Sequence, residues 1–120
     1  MAIVRMTQIN VIPDNKDAQD HTKKPSYYYK ETTSAAGNGD WVLIPNGVEK
    51  ISVILAAGGV GKIQATNDVA AVNAATTPDD LLDWDNGDIS AATESSLVAP
   101  VYAIRQVNTS GTNIMTIYAS

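Results

Sequence analysis

Short apolar runs separated by turn residues recur along this chain, and they restrict it to one class of fold. In segments such as VEKISVILA (48–56) and TNIMTIYA (112–119), apolar residues stand near alternate positions, as in half-buried strands. Clusters of Gly, Pro, Asn and Asp interrupt these runs. The sequence therefore predicts an all-β protein, a small β-sandwich or jelly-roll-like barrel of roughly six to eight short strands with at most one short helix.

Two connections carry turn signals that are typical of hairpins. GGVG (58–61) is expected to turn the chain into the strand KIQAT, and NTSGT (108–112) is expected to join LVAPVYAIRQVN (97–108) to the last strand. The helix is expected at residues 69–72, with Asn67 or Asp68 as its N-cap.

The length of 120 residues gives room for one domain. We expect residues 1–24 to form an extended N-terminal strand or arm and a polar loop, and residues 25–120 to form a single β-sandwich domain. The apolar arm either completes the sandwich or adds a strand to the sheet of a neighbour. Its candidate partner contacts are Ile3, Val4, Met6, Ile9 and Val11.

The chain is acidic and poor in charge, with a formal net charge of −5 and 18% charged residues. A non-specific nucleic-acid binder needs a basic face, so nucleic acid is not an expected partner. Because cysteine is absent, disulfides and thiolate metal sites are excluded. The N-terminal run lacks the pattern of a signal peptide and no run has the length of a membrane span, so we expect a soluble protein made in the cytoplasm, without a membrane partner.

The segment GGVGK (58–62) resembles a phosphate-binding loop after a strand. Such a loop reads G-x-x-x-x-G-K followed by Ser or Thr, and a helix follows it. Here Ala56 stands at the first glycine position, Ile63 replaces the hydroxyl, and the next residues favour a strand. A tight glycine turn is the preferred interpretation, and no cofactor is expected.

Two other polar groups are candidates for chemistry. The turn DWDNGD, with Asp83, Asp85 and Asp88 and the later Glu94, partly matches a calcium loop, although Gly and Asp stand at its fifth and sixth positions. Acidic side chains that cap their own turn are the alternative, and an irregular cation site stays open. His21 lies in a polar loop without a nucleophile motif, so we expect no catalytic residue and no enzymatic activity.

Aromatic residues give the stronger binding candidates. Tyr27, Tyr28 and Tyr29 open a strand whose alternate residues share a face, so one face belongs to the core and the other is exposed or part of a protein interface. Trp41 and Trp84 are candidates for stacking on sugar rings, with core packing as the alternative for Trp84.

Four segments resemble small virion proteins of tailed bacteriophages. They are GDWVLIPNGVEKISVIL (39–55), GKIQATND (61–68), LDWDNGDIS (82–90) and LVAPVYAIRQVNTSGTNIMTIYA (97–119). This chain has Ala99 where such proteins often have glycine before the proline. The resemblance covers roughly the last two-thirds of the chain. It implies a structural role in a particle, often as a trimer, and carries over no active-site residues.

The residues and the resemblance together predict a non-enzymatic phage virion structural protein. We expect a capsid decoration or cement protein that binds the major capsid protein, or other virion proteins, on the outer surface of the head. A homo-oligomer is expected, with a trimer favoured, and its location would be the virion after synthesis in the host cytoplasm. The alternatives are a tail, collar or fibre component and a carbohydrate- or receptor-binding module.

Overall fold

A computed structural model describes residues 3–8, 26–98 and 101–120 of the chain, and they are mostly strands. The elements are β1 (Ile3–Arg5), β2 (Thr7–Gln8), β3 (Tyr27–Thr33), β4 (Gly37–Asn38), β5 (Trp41–Leu43), β6 (Lys50–Ala57), β7 (Val60–Thr66), α1 (Val69–Asn73), β8 (Leu82–Asp83), β9 (Thr93–Val98), β10 (Ala103–Ser110) and β11 (Asn113–Ala119). The predicted all-β class is confirmed. The strands outnumber the prediction because five of them have only two or three residues, too few to show an alternating pattern.

The strands form two sheets that pack face to face. Sheet A has the order β1-β5-β10-β7-β8, and β4 also pairs with β10. Sheet B has the order β2-β3-β11-β6-β9. The described strand pairs are antiparallel except for β1 with β5. The architecture is therefore a β-sandwich.

The apolar core lies between the sheets. Sheet B contributes Val53, Leu55 and Ile117, and sheet A contributes Ile63 and Ile104, all of them fully buried. Each such side chain stabilises the fold by about 1.5–3 kcal/mol relative to an exposed one. The alternation that predicted these strands also predicts which of their residues face the core.

Toward one end the interior becomes polar. Gln106, Asn108 and Asn113 are buried there. Gln106 Nε2 donates to Glu31 Oε1 at 2.9 Å, and Asn108 Nδ2 donates to Thr33 Oγ1 at 2.9 Å. Since a buried polar group costs free energy unless it is hydrogen-bonded, these bonds between sheets A and B favour one alignment of the two sheets.

The prediction of two hairpins is wrong. β6 and β11 belong to sheet B, whereas β7 and β10 belong to sheet A, so each Gly-rich connection crosses from one sheet to the other. The two crossings touch: Gly58 N donates to Thr112 O at 2.8 Å, and a side chain at Gly59 would collide with the carbonyl of Ser110. Alternation marks the faces of a strand but not the sheet that it joins, which explains the error.

The segment 97–108 was predicted as one strand and is divided in the same way. Its first two residues, 97 and 98, belong to β9 in sheet B, and Ala103 begins β10 in sheet A. The chain also changes sheets at the N-terminus, where Met6 lies between β1 in sheet A and β2 in sheet B. Residues 3–8 thus complete both sheets of their own sandwich.

The predicted helix is present as α1, with Asp68 as its N-cap. Asp68 Oδ1 accepts a hydrogen bond from Ala71 N at 3.1 Å, as an N-cap side chain should. The helix lies on the outer face of sheet A, where Val72 packs with Trp41, Leu43 and Ala103 in a second small core. Sheet A is therefore covered on both faces in this region.

Candidate interaction surface

The GGVGK segment is built as a crossing between sheets and does not present its donors to a ligand. The N–H groups of Gly58, Gly59 and Gly61 each donate to a protein oxygen at 2.8–3.2 Å. The ammonium of Lys62 pairs with Asp83 at 3.0 Å. A phosphate-binding loop directs these same groups at its ligand and leads into a helix, whereas this segment continues as β7.

The acidic turn is held by donors of the protein itself. Asp83 accepts hydrogen bonds from Gln64 Nε2 at 2.9 Å and Lys62 Nζ at 3.0 Å, and these two bonds lower the pKa of Asp83. Trp84 is buried, and its Nε1 donates to Gly87 O at 2.6 Å. The other acidic residues of the segment that partly matches a calcium loop are exposed: Asp85, Asp88 and Glu94. Within the described ranges, no group of three or more His, Cys, Asp or Glu could hold a metal ion.

Acidic side chains also fix the segment that covers sheet A. Asp68 accepts from Asp79 N at 3.3 Å in addition to capping α1. Asp80 accepts from the hydroxyl of Thr66 and from Asn67 N, and these bonds, the first most strongly, lower the pKa of Asp80. The carboxylates at both ends of the segment therefore have structural partners.

The covered face of sheet A contains a buried cation. The Arg105 guanidinium lies 4.4 Å from the centroid of the Trp41 ring, and Arg105 Nε donates to Gln64 Oε1 at 3.1 Å. Burial lowers the pKa of Arg105. Trp41 is 1% exposed and Trp84 is 6% exposed. Neither indole has a free ring face, so the alternative of stacking on sugars is wrong for both tryptophans, and the core-packing alternative for Trp84 is confirmed.

The structure places most of the described arm candidates inside. Met6 is buried in the core and Val4 packs against it, whereas Ile3 is exposed. Val4 and Met6 therefore contact the core of their own chain, because their strands complete its sheets. Ile9, Val11 and His21 lie outside the described residues.

The tyrosine cluster divides between two faces, as the alternation of its strand predicts. Tyr27 and Tyr29 pack against the core. Burial, followed by the nearby charges of Glu31 and Asp40, raises the pKa of Tyr29. Tyr28 lies on the outer face of sheet B and is the tyrosine of this cluster available to a partner.

The outer face of sheet B has no covering element within the described part of the chain, and we call it the bare face. Its positions follow from the registers of β3, β11, β6 and β9. The members are Tyr28, Lys30, Thr32, Ile114, Thr116, Tyr118, Lys50, Ser52, Ile54, Ala56, Glu94 and Ser96. The charged members lie at the margins of the bare face, with Lys30 on β3, Glu94 on β9 and Lys50 at the start of β6.

An aromatic pair lies near one end of the bare face. The rings of Tyr28 and Tyr118 meet edge to face with centroids 5.3 Å apart, and Tyr118 is 44% exposed. A depression of about 540 Å³ adjoins Tyr118 and is lined by Lys50, Ser52 and Ser96 among others. The sequence analysis does not single out Tyr118. The alternation of β11, in which Met115 and Ile117 are buried, does indicate that Tyr118 faces outward.

Comparisons with family models, with curated proteins and with solved structures find no match for this chain. No helix in the described ranges has the length and apolar character needed to cross a membrane. The bare face, with its tyrosine pair and the adjoining depression, is the candidate interaction surface.

Proposed function

We propose that this chain is a non-enzymatic structural protein of a tailed-phage virion, a decoration protein that binds the major capsid protein on the outside of the head. The bare face of sheet B is the observation that carries the proposal. We place the contact with the particle there, with Tyr28 and Tyr118 as its aromatic contacts, in an oligomer for which a trimer is favoured.

The chemistry of the bare face supports this role. Its middle is uncharged and combines the aliphatic side chains of Ile54 and Ile114 with the hydroxyl of Thr116, and the tyrosine pair lies near one end of it. Protein interfaces are depleted in charge at their centre and enriched in tyrosine, because that side chain buries a large area and retains a polar tip. The resemblance of four segments to phage virion proteins points in the same direction.

A decoration role also fits the physics of a repeated lattice. Many identical contacts act together, so a modest contact in each copy gives firm attachment. A protein that binds the assembled shell and not its separated subunits stabilises the shell by mass action. Neither effect requires a catalytic residue or a cofactor.

The copy number of the chain in purified particles tests the proposal. We expect quantitative mass spectrometry to give a ratio to the major capsid protein near one or a simple fraction of it. A few copies in each particle would contradict decoration and favour a tail, collar or fibre part. Absence of the chain from particles would overturn a virion role altogether. Light scattering of the purified chain tests the favoured trimer separately.

A further inference from the structure

Within the described residues, one long strand forms an edge of sheet B. β9 pairs with β6 along its whole length, and no described strand lies on its other side. Proteins usually shield such an edge with Lys, Pro or a bulge, because its outward N–H and C=O groups accept a further strand. The sequence of β9, TESSLV, contains neither Lys nor Pro, its one charged residue is Glu94, and its register with β6 is continuous.

The other edges of the described sheets are shorter or better protected. β1, β2 and β8 have only two or three residues each. β3 is long, but β2 covers one end of it and Lys30 lies in the uncovered part. β9 is therefore the edge that is most open to pairing within the described sandwich.

An apolar groove adjoins this edge. It has a volume of about 280 Å³ and opens between β8 of sheet A and β9 of sheet B. Its apolar lining includes Ala65, Leu82, Leu97 and Val101. Leu82 is 70% exposed, so most of its side chain is open to contact with a partner. A strand added to β9 would place alternate side chains over this groove.

The charge around the groove indicates which sign of charge a partner should carry. Residues 63–104 contain seven Asp and Glu and no Lys or Arg, whereas the rest of the chain contains six Asp and Glu and eight Lys and Arg. Asp80, Asp83 and Asp85 line the groove itself, and of these Asp83 is paired with Lys62 at 3.0 Å. A second copy that paired through its own β9 would bring two acidic segments together, which like-charge repulsion disfavours.

We propose that β9 and this groove bind an extended basic segment of another protein, which adds to sheet B as a further strand. Its aliphatic side chains contact Leu82 and Leu97 in the groove, and its Lys or Arg side chains lie near Asp80 and Asp85. Main-chain hydrogen bonds supply affinity, and the alternate side chains supply specificity. β9 also contributes Glu94 and Ser96 to the bare face, but the groove is lined by other residues, so this inference does not depend on the proposed function.

The test uses NMR spectroscopy of the full-length ¹⁵N-labelled chain with two capped peptides, KVKLKVK and EVELEVE. We expect the basic peptide to shift the amide signals of β9 and of Leu82 and to bind more weakly as salt is raised. The acidic peptide should leave these signals unchanged. Equal binding of both peptides, or no shift in β9 with either, would overturn the proposal. Shifts in β9 on concentrating the chain alone would identify a second copy as the occupant and overturn it as well.

Two variants distinguish a loss of peptide binding at the groove from a general loss of stability. Leu82→Ala should weaken binding of KVKLKVK by about five- to tenfold, because it removes apolar area that the peptide covers. Val69→Ala removes a similar exposed aliphatic side chain from α1 and should leave binding unchanged. Loss of binding that is equal in the two variants would contradict a contact at Leu82.

Discussion

The outer faces of the two sheets differ, although their inner faces share one core. On sheet A, α1 packs over Trp41 and Ala103, which are 1% and 0% exposed. On sheet B, Tyr118 is 44% exposed and Ile54 is half-buried, with no described element above them. Within the described residues, the chain thus covers one outer face for its own stability and leaves the other without a covering element.

Truncation of one aromatic residue on each face should give the largest difference. Trp41→Ala should lower the free energy of unfolding by about 3–5 kcal/mol, because it empties a buried site and removes the ring beneath Arg105. Tyr118→Ala should cost only about 1 kcal/mol, mainly through its contact with Tyr28. Urea unfolding of the two variants measures both values. Equal losses would show that the two faces do not differ in their contribution to stability.

The end of the covering helix offers a smaller, stabilising change. Ala75 has a φ of +57° at the position after the C-cap, and Thr76 N donates to Ala71 O at 3.0 Å in the pattern that usually employs glycine. Ala75→Gly should therefore raise the free energy of unfolding by about 1 kcal/mol.

The neighbouring Ala74→Gly is the matched control. Ala74 has a φ of −88°, where glycine relieves no strain and only adds flexibility to the unfolded chain. It should lower stability by about 0.5–1 kcal/mol. Thermal unfolding of both variants would show shifts of opposite sign, and shifts of the same sign would contradict a strained helix end over sheet A.

The smallest of these effects should be a change in the free energy of unfolding at acid pH. The pKa of Asp83 is lower in the folded chain, where Gln64 and Lys62 bond its carboxylate, than in the unfolded chain. Its contribution is therefore complete above pH about 4 and is lost as the pH falls through the folded-state value.

Asp83→Asn should flatten the loss of stability below pH about 4, by less than about 1 kcal/mol because the carboxylate is half exposed. Asp85→Asn removes a carboxylate from the same turn without these two bonds. Acid unfolding followed by circular dichroism compares the two variants. If Asp83→Asn loses stability with falling pH as steeply as the original chain does, the bonds of Asp83 are not a source of stability at the edge of sheet A.

The sequence predicts the strands well and their assembly poorly. Period-two patterns identify residues such as Val53 and Ile117 as core, and Asp68 is recognisable as an N-cap from its position before an apolar run. The same pattern cannot tell which sheet a strand joins, so the crossings at Gly59 and Gly111 were predicted as hairpins. Close contact between those crossings is a tertiary property that no local pattern contains.

The candidate surface was only partly predictable for a related reason. The alternation in YYYK predicts that Tyr28 points away from Tyr27 and Tyr29, and the structure places it so. The pairing of Tyr28 with Tyr118 joins residues far apart in sequence, and the cover over Trp41 comes from a helix whose docking face depends on sheet A. Which outer face is bare is therefore decided by tertiary packing and not by hydrophobicity.

Chemical modification of tyrosines in purified particles, compared with the free chain, tests the bare face as the attachment surface most directly. Tyr118 and Tyr28 should react readily in the free chain and become protected in particles, while Tyr102, on the covered side of sheet A, should react at the same rate in both. Equal reactivity of Tyr118 in free and particle-bound chains would contradict attachment through the bare face.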